Sequence, residues 1–119
     1  MQIVVSADGP GLDAAVNARL GRCPYYVVVD SETLHAESFE NPAVSQHGGA
    51  GVKAAEFIVA SGAAAVVTGN AGPNAMRVLD AADLEVCIGG KGTVSEAVGA
   101  YLAGELERAS GSEMGPPER

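Results

Sequence analysis

The chain contains two cysteines and two histidines, the side chains best suited to binding a soft transition metal. Cys23 follows Arg22, whose positive charge favours the thiolate form of a neighbouring cysteine by lowering its pKa. His47 directly precedes a glycine-rich helix entry, where an imidazole could bind a metal that keeps an open position. Each residue also has a simpler interpretation. Cys23 beside a proline is typical of a small core residue, and His47 is typical of an exposed loop.

The other cysteine and histidine are weaker candidates for metal ligands. Cys87 lies near the end of an apolar run and is interpreted as a core residue, while His35 alternates within a hairpin strand and is interpreted as a surface residue. Two cysteines and one histidine are too few to enclose a cluster that needs four thiolates. They could hold a preassembled cluster by one or two bonds, with backbone N–H groups, Arg22 and Lys91 providing the other contacts.

A glycine-rich run from 69 to 75 joins an apolar strand to a helical stretch. Gly69 and Gly72 let the backbone approach a ligand closely because no Cβ intervenes. Asn70 or Asn74 can cap the helix, and the N-terminal N–H groups favour an anion. A plain tight turn would use the same residue types.

Similar glycine-rich entries precede two other predicted helices, at 47–51 and at 89–93. None of the three matches a P-loop or a dinucleotide-binding fingerprint. Together they define the predicted cofactor-binding residues, which are Arg22, Gly49, Gly51, Gly69, Asn70, Gly72, Asn74, Lys91 and Gly92.

The spacing of apolar runs predicts a mixed α/β sheet. A short turn at 31–32 makes the second and third strands an antiparallel hairpin, whereas helices connect the later strands as parallel crossovers. If the first strand also pairs antiparallel with the second, then strands one, three, four and five end at the same edge of the sheet. The glycine-rich loops, Arg22, Cys23 and His47 should meet there, because ligands of open α/β sheets bind at the carboxyl ends of strands.

Length and composition define the class of protein. The 119 residues suit one domain, predicted at 1–108, and the Gly, Ser and Pro content of 109–119 predicts a disordered tail. A net charge of −8 argues against binding to nucleic acid or to acidic membranes. No apolar run approaches the roughly 20 residues of a membrane span, and the start has no signal-peptide pattern. We therefore expect a cytoplasmic protein.

Several short motifs occur in an order and spacing that resemble the dinitrogenase iron-molybdenum cofactor-binding family over about residues 1–104. The motifs are Leu-Gly-Arg at 20–22, Val-Val-Val-Asp at 27–30, Asn-Pro at 41–42, Gly-Ala-Gly at 49–51, Thr-Gly-Asn-Ala-Gly-Pro-Asn-Ala at 68–75 and Gly-Thr-Val-Ser-Glu-Ala at 92–97. The resemblance implies a ribonuclease H-like motif with a five-stranded sheet of order 3-2-1-4-5, strand 2 antiparallel, and helices on its faces. The family's usual Arg-Phe-Gly-Arg is here Arg-Leu-Gly-Arg at 19–22, followed by Cys23 where alanine is common.

The family includes nitrogenase accessory proteins of cofactor biosynthesis and small stand-alone members. The resemblance implies a non-catalytic protein that binds, stores or delivers an iron-molybdenum cofactor or a related metal-sulfur cluster. It also strengthens the interpretation of His47 as a ligand, and implies donor or acceptor proteins as partners. Two alternatives remain open at this point. One is a small-molecule enzyme with Cys23 as nucleophile, and the other is a regulatory protein-interaction module without metal.

Overall fold

The chain forms a six-stranded mixed sheet with helices on both faces. The computed structural model describes residues 1–43 and 48–109. In chain order the elements are β1 Gln2–Ala7, β2 Tyr25–Asp30, β3 Ala36–Glu40, α1 Ala50–Ala60, β4 Ala65–Val67, α2 Pro73–Ala81, β5 Glu85–Ile88, α3 Val94–Leu102 and β6 Glu107–Ala109.

The strand order is β3-β2-β1-β4-β5-β6. β1 pairs antiparallel with β2 and parallel with β4, so the prediction that strands one, three, four and five end at one edge of the sheet is confirmed. β3 continues the antiparallel hairpin and β5 continues the parallel side. The predicted order 3-2-1-4-5 is therefore present within the larger sheet. The ribonuclease H-like classification stays a prediction.

The core lies on both faces of the central strands. α1 and α2 pack on the face that carries Val4, Tyr26 and Val66, and α3 packs on the face that carries Val5 and Val27. Ile3 to Ala7 are all buried, as expected for a strand covered on both sides. Because the central strands are covered on both faces, their sequences are continuous apolar runs rather than alternating apolar and polar residues.

The prediction of five strands is wrong, because a sixth strand follows the last helix. An apolar spacing typical of a helix runs from 94 to 106, but α3 ends at Leu102 and the chain turns at Gly104, whose φ is 75°. β6 then pairs antiparallel with β5, and Arg108 Nε lies 3.2 Å from Glu85 Oε2. Ala109, predicted to begin the tail, belongs to this strand. Residues 110–119, the remainder of the predicted tail, lie outside the described residues.

None of the helices in the described part of the chain is long and apolar enough to cross a membrane.

Candidate functional site

A cleft of about 430 Å³ lies at the edge of the sheet where β1, β4 and β5 end. This volume falls within the range of about 300–1,000 Å³ typical of small-ligand sites. Three segments form its walls: the loop before β2, the first turn of α1, and the loop that enters α2. The lining residues are Arg19, Leu20, Gly21, Arg22, Gly51, Asn70, Ala71, Gly72, Pro73, Asn74 and Ala75.

Two helices begin at this cleft, each after a glycine at the N-cap position. α1 starts after Gly49, in the left-handed conformation with φ 72°, and α2 starts after Gly72, with φ 79° and ψ 157°. Both N-caps are glycines, and within the described residues neither N-terminus has a side-chain cap hydrogen bond. The first backbone N–H groups of a helix have no partner within the helix, so such an end can donate hydrogen bonds to a ligand.

The two helix ends lie side by side because glycines allow close contact. A Cβ added to Gly51 would lie 3.5 Å from the Ala75 backbone nitrogen. A Cβ added to Gly21 would lie 3.4 Å from the Gly51 Cα. The arginine loop, which we define as residues 17–23, therefore packs directly against the first turn of α1, and that turn packs against α2.

Buried polar side chains hold the arginine loop from below. The Ser6 hydroxyl donates to the Asn17 carbonyl oxygen at 2.7 Å, and the Ser6 and Thr68 hydroxyl oxygens are hydrogen bonded at the same distance. Asn41 Nδ2 donates to the Cys23 carbonyl oxygen at 2.8 Å. Within the described ranges, Ser6, Asn41 and Thr68 are the buried polar side chains. All three support this edge of the sheet.

Tyr26 and Asn70 fix the middle of the loop. The Tyr26 hydroxyl donates to the Leu20 carbonyl oxygen at 2.6 Å, and the Leu20 N–H donates to the Asn70 carbonyl oxygen at 3.1 Å. Asn70 Oδ1 also accepts from the Gly72 N–H at 3.0 Å. Asn70 thus joins the arginine loop to the entry of α2, rather than capping that helix.

The charges of the cleft favour an anion. Arg19 and Arg22 are exposed and line it, whereas the lining residues that the structure describes include neither aspartate nor glutamate. The positive ends of the α1 and α2 dipoles add to the same potential. The cleft therefore offers positive charge and N–H donors in a protein whose overall charge is −8.

The third glycine-rich entry differs from the other two. Thr93 and Glu96 form a capping box, in which each side chain accepts a hydrogen bond from the other's backbone N–H. The Val94 and Ser95 N–H groups donate to the Ala14 and Leu12 carbonyl oxygens at 2.9 Å, so the first-turn donors of α3 already have partners within the protein. Lys91 and Gly92 do not line the cleft, and Gly92 instead accepts a hydrogen bond from the Val16 N–H.

Two other predicted glycines support the site without lining it. Gly49 is the N-cap of α1. A Cβ on Gly69 would lie 2.7 Å from the Ala18 Cα, so this glycine lets the loop before β2 pack onto the end of β4. The structure thus brings together at the cleft five of the predicted binding residues, namely Arg22, Gly51, Asn70, Gly72 and Asn74.

The expectation that Arg22 lowers the pKa of Cys23 is wrong. The thiol is fully buried, its Sγ lies 3.4 Å from the Leu20 carbonyl oxygen, and burial raises its pKa to about 11. Metal ligation by Cys23 stays a prediction, but a buried protonated thiol argues against it. Cys87 is buried as well, as predicted.

His47 lies outside the described residues, so its role as a metal ligand stays a prediction. Among residues 1–43 and 48–109, no group of three or more His, Cys, Asp or Glu side chains could hold a metal ion. His35 is exposed, in agreement with its predicted surface position.

Sequence reasoning missed the polar supports of the cleft. Ser6 and Thr68 interrupt otherwise apolar strand ends, and a hydroxyl at such a position usually has a specific partner. Arg19 and Asn41 lie in the motifs at 19–22 and 41–42, but neither was predicted as a site residue. Nothing in the sequence marked Tyr26 as a support of the cleft, because tyrosine is common in strands for its packing alone.

Comparison with known structures places the chain among related proteins. The apo form of the orange protein from Desulfovibrio gigas is 40% identical, with a TM-score of 0.88, and the match covers 92% of this chain and 93% of that one. A Thermotoga protein described as a candidate NifB protein is 32% identical, with a TM-score of 0.78 and coverage of 90% and 91%.

A third structure, a candidate dinitrogenase from Methanocaldococcus jannaschii, is 16% identical, with a TM-score of 0.69 and coverage of 92% and 95%. At this level of identity the similarity supports a shared fold and nothing more. No match was found among curated proteins. The family model described as dinitrogenase iron-molybdenum cofactor matches residues 1–104. The chain therefore belongs to the dinitrogenase iron-molybdenum cofactor family.

Proposed function

We propose that this protein binds, stores or delivers a metal-sulfur cofactor in the cleft, without catalysing a reaction. The cargo would be the iron-molybdenum cofactor or a related cluster, in line with the family description. The proposal includes a cytoplasmic location and donor or acceptor proteins of a cofactor pathway as partners, with no role for nucleic acid or membrane. The description of a 40% identical relative as an orange protein in its apo form fits a coloured group that can be removed.

The observation that carries the proposal is the pair of helix ends with glycine N-caps that face one cleft and that no described side chain caps. Metal-sulfur clusters are commonly anionic, and their sulfides accept hydrogen bonds from backbone N–H groups. The N–H groups of Asn74 and Ala75, in the first turn of α2, are the donors available beside Gly51. Arg19 and Arg22 would add charge-assisted contacts at the opposite wall.

Such a site would hold its cargo mainly by hydrogen bonds and charge, which suits release to an acceptor. A Cys23-dependent enzyme has less support, since the thiol is buried and its pKa is raised to about 11. A direct bond from His47 would add to the retention of the cluster, and His47→Ala tests that addition separately.

The first test is a titration with tetrathiomolybdate, a soluble dianion of molybdenum and sulfide whose visible absorption reports binding. In Gly51→Ala the added methyl would lie 3.5 Å from the Ala75 nitrogen and shield its N–H group from a ligand. We expect at least a fivefold loss of affinity. The melting temperature should not fall, because alanine stabilises a helix by up to about 1 kcal/mol relative to glycine.

Gly99→Ala is the matched control. Gly99 lies in α3, where an added Cβ would have no atom of the described residues within 4 Å, so this variant gains the same helix propensity away from the cleft. Its affinity for tetrathiomolybdate should equal that of the parent. Equal binding by Gly51→Ala and Gly99→Ala would show that the cleft does not hold the anion.

A further inference from the structure

A second and larger cavity lies at the opposite end of α1. This groove, of about 620 Å³, runs between β3 and the last turns of α1. Phe39 and Phe57 form its apolar part, Asp30 and Glu37 its acidic part, and Ala60 and Ser61 its far wall. None of these residues lines the cleft.

The groove contains both phenylalanines of the chain. Phe57 stacks on the buried Tyr26 ring with centroids 5.6 Å apart. Phe39 meets Phe57 edge to face at 5.9 Å and is 39% exposed, although it belongs to a strand. A row of aromatic rings thus leads from the core to the surface, and its last ring is available to a partner.

The groove borders an open strand edge. β3 is the terminal strand of the sheet and pairs only with β2 among the described residues. Phe39 lies opposite Tyr26 and Glu37 lies opposite Val28, so both side chains point to the face of the sheet that α1 covers. A strand added beside β3 would place alternate side chains next to Phe39 and Glu37.

The charged residues of the groove determine which kind of strand it would bind. Asp30, Glu37 and His35 line the groove, and the part of its lining that the structure describes includes neither lysine nor arginine. The Asp30 carboxylate already accepts hydrogen bonds from Gln2 Nε2 and from the Glu32 and Thr33 N–H groups, so Glu37 is the acid that we expect a partner's cation to contact. Glutamates on an edge strand discourage pairing with apolar or acidic strands, but they favour a basic one. The exposed ring of Phe39 would also attract a guanidinium or ammonium group to its face.

We propose that β3 and the groove bind an extended basic segment of a partner protein, which adds as a strand and presents an arginine or lysine to Phe39 and Glu37. Main-chain hydrogen bonds to the edge would supply affinity, and the aromatic and acidic side chains would supply specificity. A second copy of this chain fits less well, because each copy carries a charge of −8 and β3 itself contains Glu37 and Glu40.

The test uses two seven-residue peptides, one alternating arginine with valine and the other alternating glutamate with valine. Backbone amide shifts of the ¹⁵N-labelled full chain report where each peptide binds. We expect the arginine peptide to shift the amides of Ala36–Glu40 and the glutamate peptide to leave them unchanged. The dissociation constant should rise at least fivefold between 50 and 500 mM salt.

Variants locate the contact. Phe39→Ala and Glu37→Gln should each weaken binding of the arginine peptide at least fivefold, while Leu102→Ala, which truncates an exposed residue on α3, should not. Glu37→Gln is an exposed change that should preserve the melting temperature, so it remains informative if Phe39→Ala unfolds. Three results would each overturn the proposal: amide shifts confined to β6, equal affinity for both peptides, or sedimentation of the protein as a dimer that pairs through β3. Tetrathiomolybdate affinity should be unchanged in these variants, so this proposal and the proposed function can fail separately.

Discussion

At the scale of single residues, Cys23 shows how burial controls the pKa and reactivity of a thiol. Arg22 is its neighbour in sequence, but the thiol is fully buried beneath the arginine loop and its pKa is raised to about 11 by loss of solvation. A positive neighbour lowers a thiol pKa only where the thiolate is itself accessible to that charge or to solvent. At neutral pH we therefore expect Cys23 to be protonated and slow to react.

This raised pKa predicts how stability depends on pH. The ordinary thiol pKa is 9.0, so the unfolded chain loses the Cys23 proton above pH 9 while the folded chain keeps it to about pH 11. Stability from this group is complete below pH 9 and is lost as the pH rises towards 11. The loss should be on the order of 2 kcal/mol.

The measurement is urea unfolding of the parent and of Cys23→Ala at pH 8 and pH 10.5. The stability of the parent should fall more steeply over this interval than that of the variant, which lacks the titrating group. A parent that fell less steeply than the variant would indicate a lowered pKa and an accessible thiolate.

The residues of the cleft were only partly predictable. Parallel strand direction correctly implied that the Asn70 loop and Arg22 end at one edge, and both line the cleft. Lys91 ends at that edge too, but the Thr93 and Glu96 capping box closes the nearby helix end. Strand direction indicates which loops share an edge. It does not indicate which of them keep free donors.

At the scale of elements, the arginine loop lacks regular secondary structure but is held by groups beneath it. Its carbonyl oxygens at Asn17, Leu20 and Cys23 accept hydrogen bonds from side chains of β1, β2 and the segment after β3. A loop held this way keeps its shape without a ligand, which lowers the entropy lost on binding. We therefore expect the cleft to keep its shape in the protein without a ligand.

Tyr26→Phe tests the anchoring of this loop. The change removes the hydrogen bond to the Leu20 carbonyl oxygen, so we expect a loss of about 1–3 kcal/mol in the free energy of unfolding. Tetrathiomolybdate should also dissociate at least threefold faster, because Leu20 adjoins Arg19 and Gly21 in the wall of the cleft. Stopped-flow dilution measures the dissociation rate.

Tyr101→Phe is the control for this change. It removes a hydrogen bond of similar length, 2.7 Å, to Glu85 Oε1, on the opposite side of the sheet from the helices of the cleft. It should reduce stability and leave the dissociation rate unchanged. A similar acceleration in both variants would mean that lower global stability alone explains the effect of Tyr26→Phe.

The elements themselves were largely predictable, since buried strands and amphipathic helices have clear periods. The last helix was the exception. An apolar spacing continues past Leu102, but Gly104 adopts a positive φ and Leu106 turns back to pack on the core face beneath α3. The same apolar spacing is expected from a longer helix and from a helix followed by a turn and a strand that pack on the same core, so the spacing alone cannot distinguish them.

At the scale of the whole molecule, the charges are unevenly placed. Among the described lining residues, the cleft has two arginines and no acid, whereas the groove has Asp30, Glu37 and His35 and no lysine or arginine. The overall charge of −8 repels anions at long range. Local donors must therefore outweigh that repulsion at the cleft.

Replacing both Arg19 and Arg22 by glutamine should weaken tetrathiomolybdate binding at least tenfold at 50 mM salt. The difference from the parent should shrink at 500 mM salt, because exposed charges are then screened beyond a few ångströms. Arg108→Gln changes charge by one unit at β6 and should alter affinity less than twofold. An equal effect of Arg108→Gln would assign the loss to net charge rather than to the cleft.

The eleven residues of α1 have a further consequence for any exchange of cargo. The helix extends from the cleft at Gly51 to the groove at Ala60, a span of roughly 14 Å at 1.5 Å per residue. A partner seated on the groove would leave the mouth of the cleft uncovered, so docking and unloading need not compete for the same surface. If both proposals hold, the protein would stay bound to one partner through the groove while the cleft releases its ligand to another.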